Sequence, residues 1–301
     1  LTALTFHYYT QPLPTWIGWY ASQSPQWFLK LSCAIMFIIE IGAPFLIFTP
    51  RTLRFFGGGA IAFFQILILL TGNYTFFNYL TLALCLLLLD DFAVQKLFRW
   101  RPAQPEEGKP HRRWPLAFTI PLAVVFSVIS LMQVIVIFGV QSRLLTPIVE
   151  FAEWIGPFRT VNDYGLFRVM TTERHEIIVQ GSNDGVHWLD YEFKYKPGDV
   201  DRRPAFVAPF QPRLDWQMWF AALGDYRDNP WFENLCFRLL QGSPQVLALL
   251  EKNPFPNKPP VYIRAEVYDY HFTNAAERRA TGAWWEREFI GDYLPPVSLR
   301  E

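Results

Sequence analysis

No charged residue interrupts FFGGGAIAFFQILILLTGNYTFFNYLTLALCLLLL, the stretch from Phe55 to Leu89. As one α-helix, its 35 residues would extend about 52 Å, well beyond the roughly 30 Å hydrocarbon core of a bilayer. The polar residues from Thr71 to Thr75 divide the stretch in two. Because lipid offers the backbone no hydrogen-bond partners, the sequence predicts two membrane helices joined by a tight turn.

Further apolar stretches flank this hairpin on both sides. The sequence predicts four spans, at residues 27–48, 55–70, 76–89 and 114–140. Each is close to or above the length that crosses a bilayer, and Pro121 is expected to kink the last one. We therefore assign residues 1–140 to a multispanning membrane domain.

Charge divides the chain at the same place. Residues 1–140 contain 9 Lys/Arg and 5 Asp/Glu, a net charge of +4, and residues 141–301 contain 18 and 22, a net charge of −4. The second part is long enough to bury a core of its own and is expected to be a soluble domain. Neither part is basic enough to suggest a nucleic-acid partner.

The soluble part mixes two periodicities. Apolar and polar residues alternate around the Asn-Asp-Gly turn of residues 176–189 and again over residues 261–272, which predicts strands. Helical spacing follows Pro212, over residues 214–223, 231–240 and 245–251. The predicted fold class is an α-helical transmembrane bundle followed by a soluble α+β domain with a β-sandwich-like sheet and a small helical insertion.

Basic residues orient the predicted spans. Arg51 and Arg54 follow the first span, and six more precede the last span: Lys96, Arg99, Arg101, Lys109, Arg112 and Arg113. The turn at residues 72–75 contains none. Short loops rich in Lys and Arg stay cytoplasmic, so residues 141–301 are expected on the opposite side. That side is the lumen of the endoplasmic reticulum in a eukaryote, or the periplasm beyond the inner membrane in a bacterium.

Three polar residues define a candidate intramembrane site: Glu40, Gln65 and Asn78. A carboxylate within a span is unfavourable unless it is paired, hydrated or protonated, so Glu40 is expected to face the interior of the bundle. The site is either a polar pocket or a set of helix-packing contacts. Asn73-Tyr74-Thr75 matches a glycosylation sequon, but it lies so close to the membrane surface that we expect no glycan there.

The sequence contains none of the common catalytic motifs, and its five histidines lack metal-ligand spacing. We therefore predict no catalytic residue, cofactor or metal ion. Aromatic residues are abundant in the soluble part instead. A candidate partner-binding surface comprises Asp215, Trp216, Trp219, Phe220 and Trp231. The alternative is that these residues form the core of the helical insertion.

Several phrases of the sequence resemble the lipase maturation factor family. They are HYYTQPLP at 7–14, TGNYTFFN at 71–78, LLLLDD at 86–91, VNDYGLFRVMTTERHEIIVQGSNDGVHW at 161–188, YEFKYKPGD at 191–199, FVAPFQPRLDWQMWFAAL at 206–223, NPF at 253–255 and LPPVSL at 294–299. The resemblance implies a multispanning membrane protein that helps secreted lipases to fold and assemble, with its large domain in the lumen. It implies no catalytic residues.

The chain also departs from that family pattern. It begins at Leu1, and the soluble part has a single cysteine, Cys236. These features predict a bacterial-type homologue that lacks upstream spans. Two functions stay open: a membrane-anchored, chaperone-like factor for a secreted lipase or another exported client in contact with membrane lipid, or a membrane enzyme acting on a lipid, quinone or lipid-linked substrate around Glu40, Gln65 and Asn78.

Overall fold

The structure is a computed structural model that describes residues 1–98, 114–139, 146–158, 161 and 169–299. Its contacts divide the chain into two compact units. The first unit combines Leu1–Trp100 with Met170–Glu301, and the second is Arg101–Val169. The N-terminal helices and the C-terminal domain therefore pack together as one body.

Two short helices begin the first unit, α1 (Ala3–Thr10) and α2 (Trp16–Ser22). The hydroxyl of Thr15 caps α2 by accepting the Gly18 N–H over 3.0 Å. A longer apolar helix, α3 (Gln26–Phe37), follows and continues through a π-helical turn and a 3-10 turn to Phe48. Pro44 lies at this change of helix geometry. Proline has no backbone N–H, so it cannot donate the hydrogen bond that a regular α-helix would make at this position.

A helical hairpin follows α3. Helix α4 (Arg51–Thr71) is joined by the turn at residues 72–75 to α5 (Phe77–Leu86) and then α6 (Asp91–Phe98). The carboxylate of Asp90 accepts the Ala93 N–H over 2.9 Å and pairs with Arg51 over 2.7 Å. The start of α4 and the far end of α5 are thus held together, opposite the turn at 72–75.

Three helices in the described part of the chain are long and apolar enough to cross a bilayer: Gln26–Phe48, Arg51–Thr71 and Leu116–Ile137. They correspond to the predicted spans at 27–48, 55–70 and 114–140. The predicted span at 76–89 is a shorter helix, α5, whose 10 residues extend about 15 Å. It ends early because residues 87–89 form a turn that leads into the cap at Asp90.

The second unit contains two described helices, α7 (Leu116–Ile137) and α8 (Thr146–Ile155), and a 3-10 turn at Gly156–Phe158. Helix α7 has the highest hydropathy of the three spans, 2.6 against 2.2 and 1.9. It keeps α-helical geometry through Pro121, which lies in its second turn.

Within residues 169–299, the described part of the C-terminal domain has six strands: β1 (His175–Ser182), β2 (Leu189–Asp190), β3 (Glu192–Phe193), β4 (Leu250–Lys252), β5 (Tyr262–Phe272) and β6 (Trp285–Ser298). Four of them form an antiparallel sheet in the order β2-β1-β5-β6, and β3 pairs with β4. In the antiparallel pairing of β1 with β5, Val179 lies opposite Ala265, near the middle of the paired residues. At the β1–β2 turn, Gly185 takes a φ of +73°, a conformation that favours glycine.

In the same described segment, four α-helices accompany the sheet: α9 (Arg213–Ala221), α10 (Pro230–Leu240), α11 (Pro244–Leu247) and α12 (Ala275–Thr281). One sheet face packs against α9 and α10 in a core that includes Ile177, Val179, Met218, Phe232, Leu239 and Ile263. These contacts confirm the predicted fold class, with apolar helices followed by a soluble α+β domain.

A second cluster lies on the other sheet face and includes a residue from the N-terminal helices. Trp19 of α2 packs with Ile178, Tyr270, Trp284 and Trp285. The rings of Trp19 and Trp284 are 5.4 Å apart in an edge-to-face arrangement. The N-terminal helices therefore contribute to the core of a domain that begins more than 150 residues later.

Candidate functional site

The structure brings two of the three intramembrane polar residues together. Asn78 is buried and its Nδ2 donates to Oε1 of Gln65 over 2.8 Å. Glu40 is exposed, on the π-helical turn Ile38–Gly42. Among the described residues no hydrogen bond or ion pair joins Glu40 to the other two. The hydrogen bond between Asn78 and Gln65 links α4 to α5, and the buried Oδ1 of Asn78 has no hydrogen-bond partner among the described residues.

The candidate partner-binding residues occupy different environments. Asp215, Trp216 and Trp219 are buried, Trp231 is half-buried, and Phe220 is 50% exposed. The Asp215 carboxylate accepts the N–H groups of Tyr195 and Lys196, each over 2.8 Å. Burial raises the pKa of Asp215, and these two hydrogen bonds oppose that rise. Of these five side chains, that of Phe220 is the most exposed.

Around α9 lies a more extensive polar arrangement that the sequence analysis did not single out. It consists of contacts among residues 9–15, the turn at residues 71–75 and the C-terminal domain, and we call it the junction. Its principal side chains are Gln11, Asn73, Arg174 and Trp219. Each of these four side chains donates a hydrogen bond to a backbone carbonyl that is distant from it in sequence.

Arg174 is the buried cation of the junction, with 1% of its surface exposed. Its Nη1 donates to the carbonyls of Tyr9, over 2.7 Å, and of Gln11, and its Nη2 donates to that of Pro12 over 3.0 Å. The same Nη2 lies 2.5 Å from the carboxylate of Glu176. The planar guanidinium suits this task because its donors diverge in one plane.

Glu176 also pairs with a second buried cation, Lys196, over 3.0 Å. The Lys196 ammonium donates further to the carbonyls of Ile177, over 3.1 Å, and Pro197, over 2.8 Å. One carboxylate thus lies between two cations, and both cations also donate to backbone carbonyls. Removing Glu176 would leave two buried cations without a counterion, which is strongly destabilising.

Asn73 joins the membrane hairpin to the C-terminal domain. Its Nδ2 donates to the carbonyls of Leu13, over 3.0 Å, and Ala205, over 2.9 Å. Its Oδ1 accepts the N–H groups of Val207, over 2.7 Å, and Ala208, over 3.0 Å. Both amide hydrogens are engaged in a side chain that is 3% exposed. The folded protein therefore offers no free amide for a glycan at this sequon.

Gln11 and Trp219 complete the junction. Gln11 Nε2 donates to the Thr71 carbonyl over 2.7 Å, and Trp219 Nε1 donates to the Thr10 carbonyl over 3.1 Å. Gly72 permits this approach, because a Cβ at that position would lie 2.1 Å from the Gln11 side chain. The end of α4, residues 10–11 and α9 are thereby tied to one another.

A histidine lies beside the junction. The ring of His7 stacks on that of Tyr74, with centroids 6.2 Å apart and an interplanar angle of 11°. Burial lowers the pKa of His7 to about 4, and it raises the pKa of Tyr74. Both rings therefore stay neutral near pH 7.

A small recess of about 40 Å³ lies beside the junction, next to Pro14, Lys196, Arg203 and Trp285. In the described residues, no three His, Cys, Asp or Glu side chains are arranged to hold a metal ion.

Sequence reasoning missed Arg174 and Gln11, and it treated Asn73 as part of a turn. One signal pointed to them. All three lie inside phrases that carry the family resemblance, at residues 7–14, 71–78 and 161–188. A buried arginine cannot be told from a surface arginine by sequence pattern, because the carbonyls that it contacts carry no side-chain signature.

Three helices that are long and apolar enough to cross a bilayer, together with an α+β domain that is joined to the helical hairpin through a buried polar junction, define the chain as an integral membrane protein. Two family models match it: the lipase maturation factor transmembrane domain, over residues 1–96, and the lipase maturation factor C-terminal domain, over residues 160–295. The chain belongs to the lipase maturation factor family, which confirms the resemblance seen in its sequence.

Named relatives resemble the chain over nearly its whole length. Lipase maturation factor 2 of Gallus gallus is 35% identical over 99% of this chain, and lipase maturation factor 1 of Mus musculus is 36% identical over 100% of it. Lipase maturation factor 2 of Homo sapiens is 34% identical over 99%. The chain spans 56% of each of these relatives. No solved structure matches the chain.

Proposed function

We propose that the protein is a membrane-anchored factor that assists the folding and maturation of secreted lipases. The family match across both the membrane helices and the C-terminal domain carries this proposal. The junction supports it, because Arg174 and Asn73 hold the C-terminal domain against the membrane helices through buried hydrogen bonds. A domain attached in this way stays at the membrane surface where exported chains emerge.

Charge and geometry together support the side of the membrane. The C-terminal domain contacts the turn at Asn73, while Arg51 and Asp90 pair at the opposite end of the helical hairpin. If the end with Arg51 and Arg54 is cytoplasmic, the C-terminal domain is extracytoplasmic. The compartment is then the lumen of the endoplasmic reticulum in a eukaryote or the periplasm in a bacterium.

Protease protection tests this orientation in sealed microsomal vesicles. Protease added outside should cleave the basic connection at residues 99–113 and spare residues 170–299. Cleavage within residues 170–299, with the connection left intact, would reverse the orientation. It would also contradict the proposed role, since the domain could not meet exported clients.

The client surface that the geometry supports best centres on Phe220. Its ring is half-exposed at the end of α9 and rests on Trp219, with centroids 5.1 Å apart, and on Trp216, at 6.4 Å. The buried tryptophans support the exposed ring, so an apolar segment of an incompletely folded client can pack on it without rearranging the domain. Trp231, which is half-buried on α10, extends the same candidate surface.

Complementation tests the function. Cells that lack their own lipase maturation factors should secrete a lipase with low activity per molecule, and expression of this protein should restore that activity. Phe220→Ser should reduce the restoration, while Phe237→Ser, at a ring that is 48% exposed on α10, should not. The proposal fails if the wild-type protein inserts into the membrane and restores nothing.

Glu40→Gln is the informative variant for the intramembrane residues. A folding factor should tolerate it, since Glu40 is exposed and makes no hydrogen bond with Gln65 or Asn78 in the described structure. Loss of client maturation in Glu40→Gln, with Phe220→Ser fully active, would instead support a membrane enzyme acting on a lipid or quinone.

A further inference from the structure

The loop RPAFVAPFQPR, residues 203–213, presents two phenylalanines to the outside of the C-terminal domain. Phe206 is 43% exposed and Phe210 is 59% exposed, whereas Pro204, Val207 and Pro212 are buried. The loop thus packs its small apolar residues inward and its large rings outward. Single exposed apolar residues are common on proteins, so the position of the loop must decide what the rings contact.

Hydrogen bonds place this loop at the end of the membrane hairpin. The Oδ1 of Asn73 accepts the N–H groups of Val207, over 2.7 Å, and Ala208, over 3.0 Å. Asn73 lies two residues beyond α4, whose 21 residues extend about 31 Å and match the hydrocarbon thickness of a bilayer. The backbone between Phe206 and Phe210 therefore lies beside the end of a helix that is long enough to cross a bilayer.

Charge in the loop fits that location. Residues 203–213 include Arg203 and Arg213, both exposed, and no acidic residue. The Arg203 guanidinium lies 5.7 Å over the ring of Trp16, at the start of α2. Phosphate groups of lipids are acceptors for arginine at this level, and aromatic rings concentrate in the same layer.

We propose that the loop at residues 203–213 is a membrane contact of the C-terminal domain, in which Phe206 and Phe210 insert into the bilayer boundary and Arg203 and Arg213 bind lipid phosphates. The occupant is the bilayer that contains the chain's own spans, and it needs no further protein. This contact would add to the junction and restrict tilting of the domain over the membrane. It does not depend on whether the client is a lipase.

Depth measurements on the full chain in phospholipid nanodiscs test the proposal. Cys33 and Cys236 are buried and can remain, and Cys85 is replaced by alanine. A bimane fluorophore is attached to single cysteines at Phe206→Cys and Phe210→Cys. Gln211→Cys, at an exposed position, leaves both rings in place in case a phenylalanine variant folds poorly. The control is Val186→Cys, exposed at the tip of the β1–β2 turn.

Brominated phosphatidylcholine, with bromine on the acyl chain, should quench the labels at 206, 210 and 211 several-fold more strongly than the label at 186. Quenching at 206, 210 and 211 as weak as at 186 would overturn the proposal and leave the loop as a water-exposed surface for a protein partner. Double substitution Arg203→Glu/Arg213→Glu should then lower quenching of the label at 210. Unchanged quenching would remove the arginines from the contact.

Discussion

Asn73 and Ala205, which are 132 residues apart, are joined by a hydrogen bond of 2.9 Å from the Asn73 side chain to the Ala205 carbonyl. The same side chain also contacts Leu13, Val207 and Ala208. One buried amide therefore connects the N-terminal segment, the membrane hairpin and the C-terminal domain, and its loss should affect all three together.

Asn73→Ala should destabilise the folded protein by roughly 2–5 kcal/mol, because it removes four hydrogen bonds worth about 0.5–1.5 kcal/mol each and leaves buried backbone groups unpaired. Denaturant unfolding in detergent measures the change. Asn183→Ala, in the exposed β1–β2 turn, is the matched control and should change stability little. Equal effects of the two substitutions would mean that the buried amide contributes nothing beyond a surface residue.

The sequon at Asn73 should remain without a glycan in the folded protein, since both amide hydrogens are engaged and Thr75 is fully buried. Expression in a eukaryotic secretory system followed by glycosidase treatment checks this. No change in electrophoretic mobility is expected. A mobility shift that disappears in Asn73→Gln would show that the turn opens during biosynthesis.

Arg174→Ala should cost about 3–5 kcal/mol of stability, because Glu176 would keep only Lys196 as a partner and three carbonyls would lose their donor. Arg174→Lys should retain only part of this stability, because a lysine ammonium cannot reproduce the donors that diverge in the plane of the guanidinium. Arg238→Ala, on the exposed face of α10, serves as the control.

A double-mutant cycle separates the ion pair from the carbonyl contacts. Arg174→Ala/Glu176→Ala should be less destabilising than the sum of the two single substitutions, because each single variant loses the Arg174–Glu176 ion pair and the double variant loses it only once. Strict additivity would indicate that Arg174 acts mainly through the carbonyls of residues 9–12.

Acid should destabilise the protein through His7. Its pKa is about 4 in the folded protein, against about 6.5 in an unfolded chain, so the unfolded state binds the proton more readily. Stability from this group is complete above about pH 6.5 and falls as the pH drops towards about 4, by at most about 3 kcal/mol. His7→Phe, which retains a ring against Tyr74, should lose this dependence.

Unfolding midpoints of wild type and His7→Phe at about pH 7.5, 6 and 5 provide the measurement. Other titrating groups are common to both proteins, so the difference between the two curves isolates His7. Parallel curves would mean that protonated His7 is tolerated beside Tyr74.

Substitution of two neighbours on α9 should change stability by different amounts. Trp219→Phe loses the hydrogen bond to the Thr10 carbonyl and part of a buried ring, so it should destabilise by about 1–3 kcal/mol. Phe220→Ala removes a half-exposed ring and should change stability by less than about 1 kcal/mol. Thermal unfolding distinguishes them, and equal losses would assign Phe220 to the core.

Local patterns predicted most of the elements. Helices expected at 214–223 and 231–240 occur at Arg213–Ala221 and Pro230–Leu240, and the strand expected at 261–272 occurs at Tyr262–Phe272. The third expected helix, at 245–251, stops at Leu247, since Leu250 begins β4. Pairing of β4 with β3 supplies the backbone hydrogen bonds that a helix would otherwise make. Nothing in the local sequence indicates that β3 is the partner.

The junction was not predictable by the same means. Periodicity reports which face of an element is buried, and it says nothing of which distant carbonyls an arginine contacts. Glu40 was expected to face the bundle interior, and its side chain is exposed on the π-helical turn Ile38–Gly42. The roles proposed for Glu40, Gln65 and Asn78, and for the surface around Phe220, stay predictions.

Arg174 has a consequence for synthesis. Its Nη2 donates to the carbonyl of Pro12, which the ribosome incorporates 162 residues earlier. At about 5–20 residues per second, about 8–30 s pass between the synthesis of Pro12 and the synthesis of Arg174, whose guanidinium contacts the Pro12 carbonyl. During that interval the first helices can insert, but every described strand of the C-terminal domain follows Arg174 in the chain and is still to be made. The N-terminal turn is therefore completed only when the C-terminal domain is synthesised.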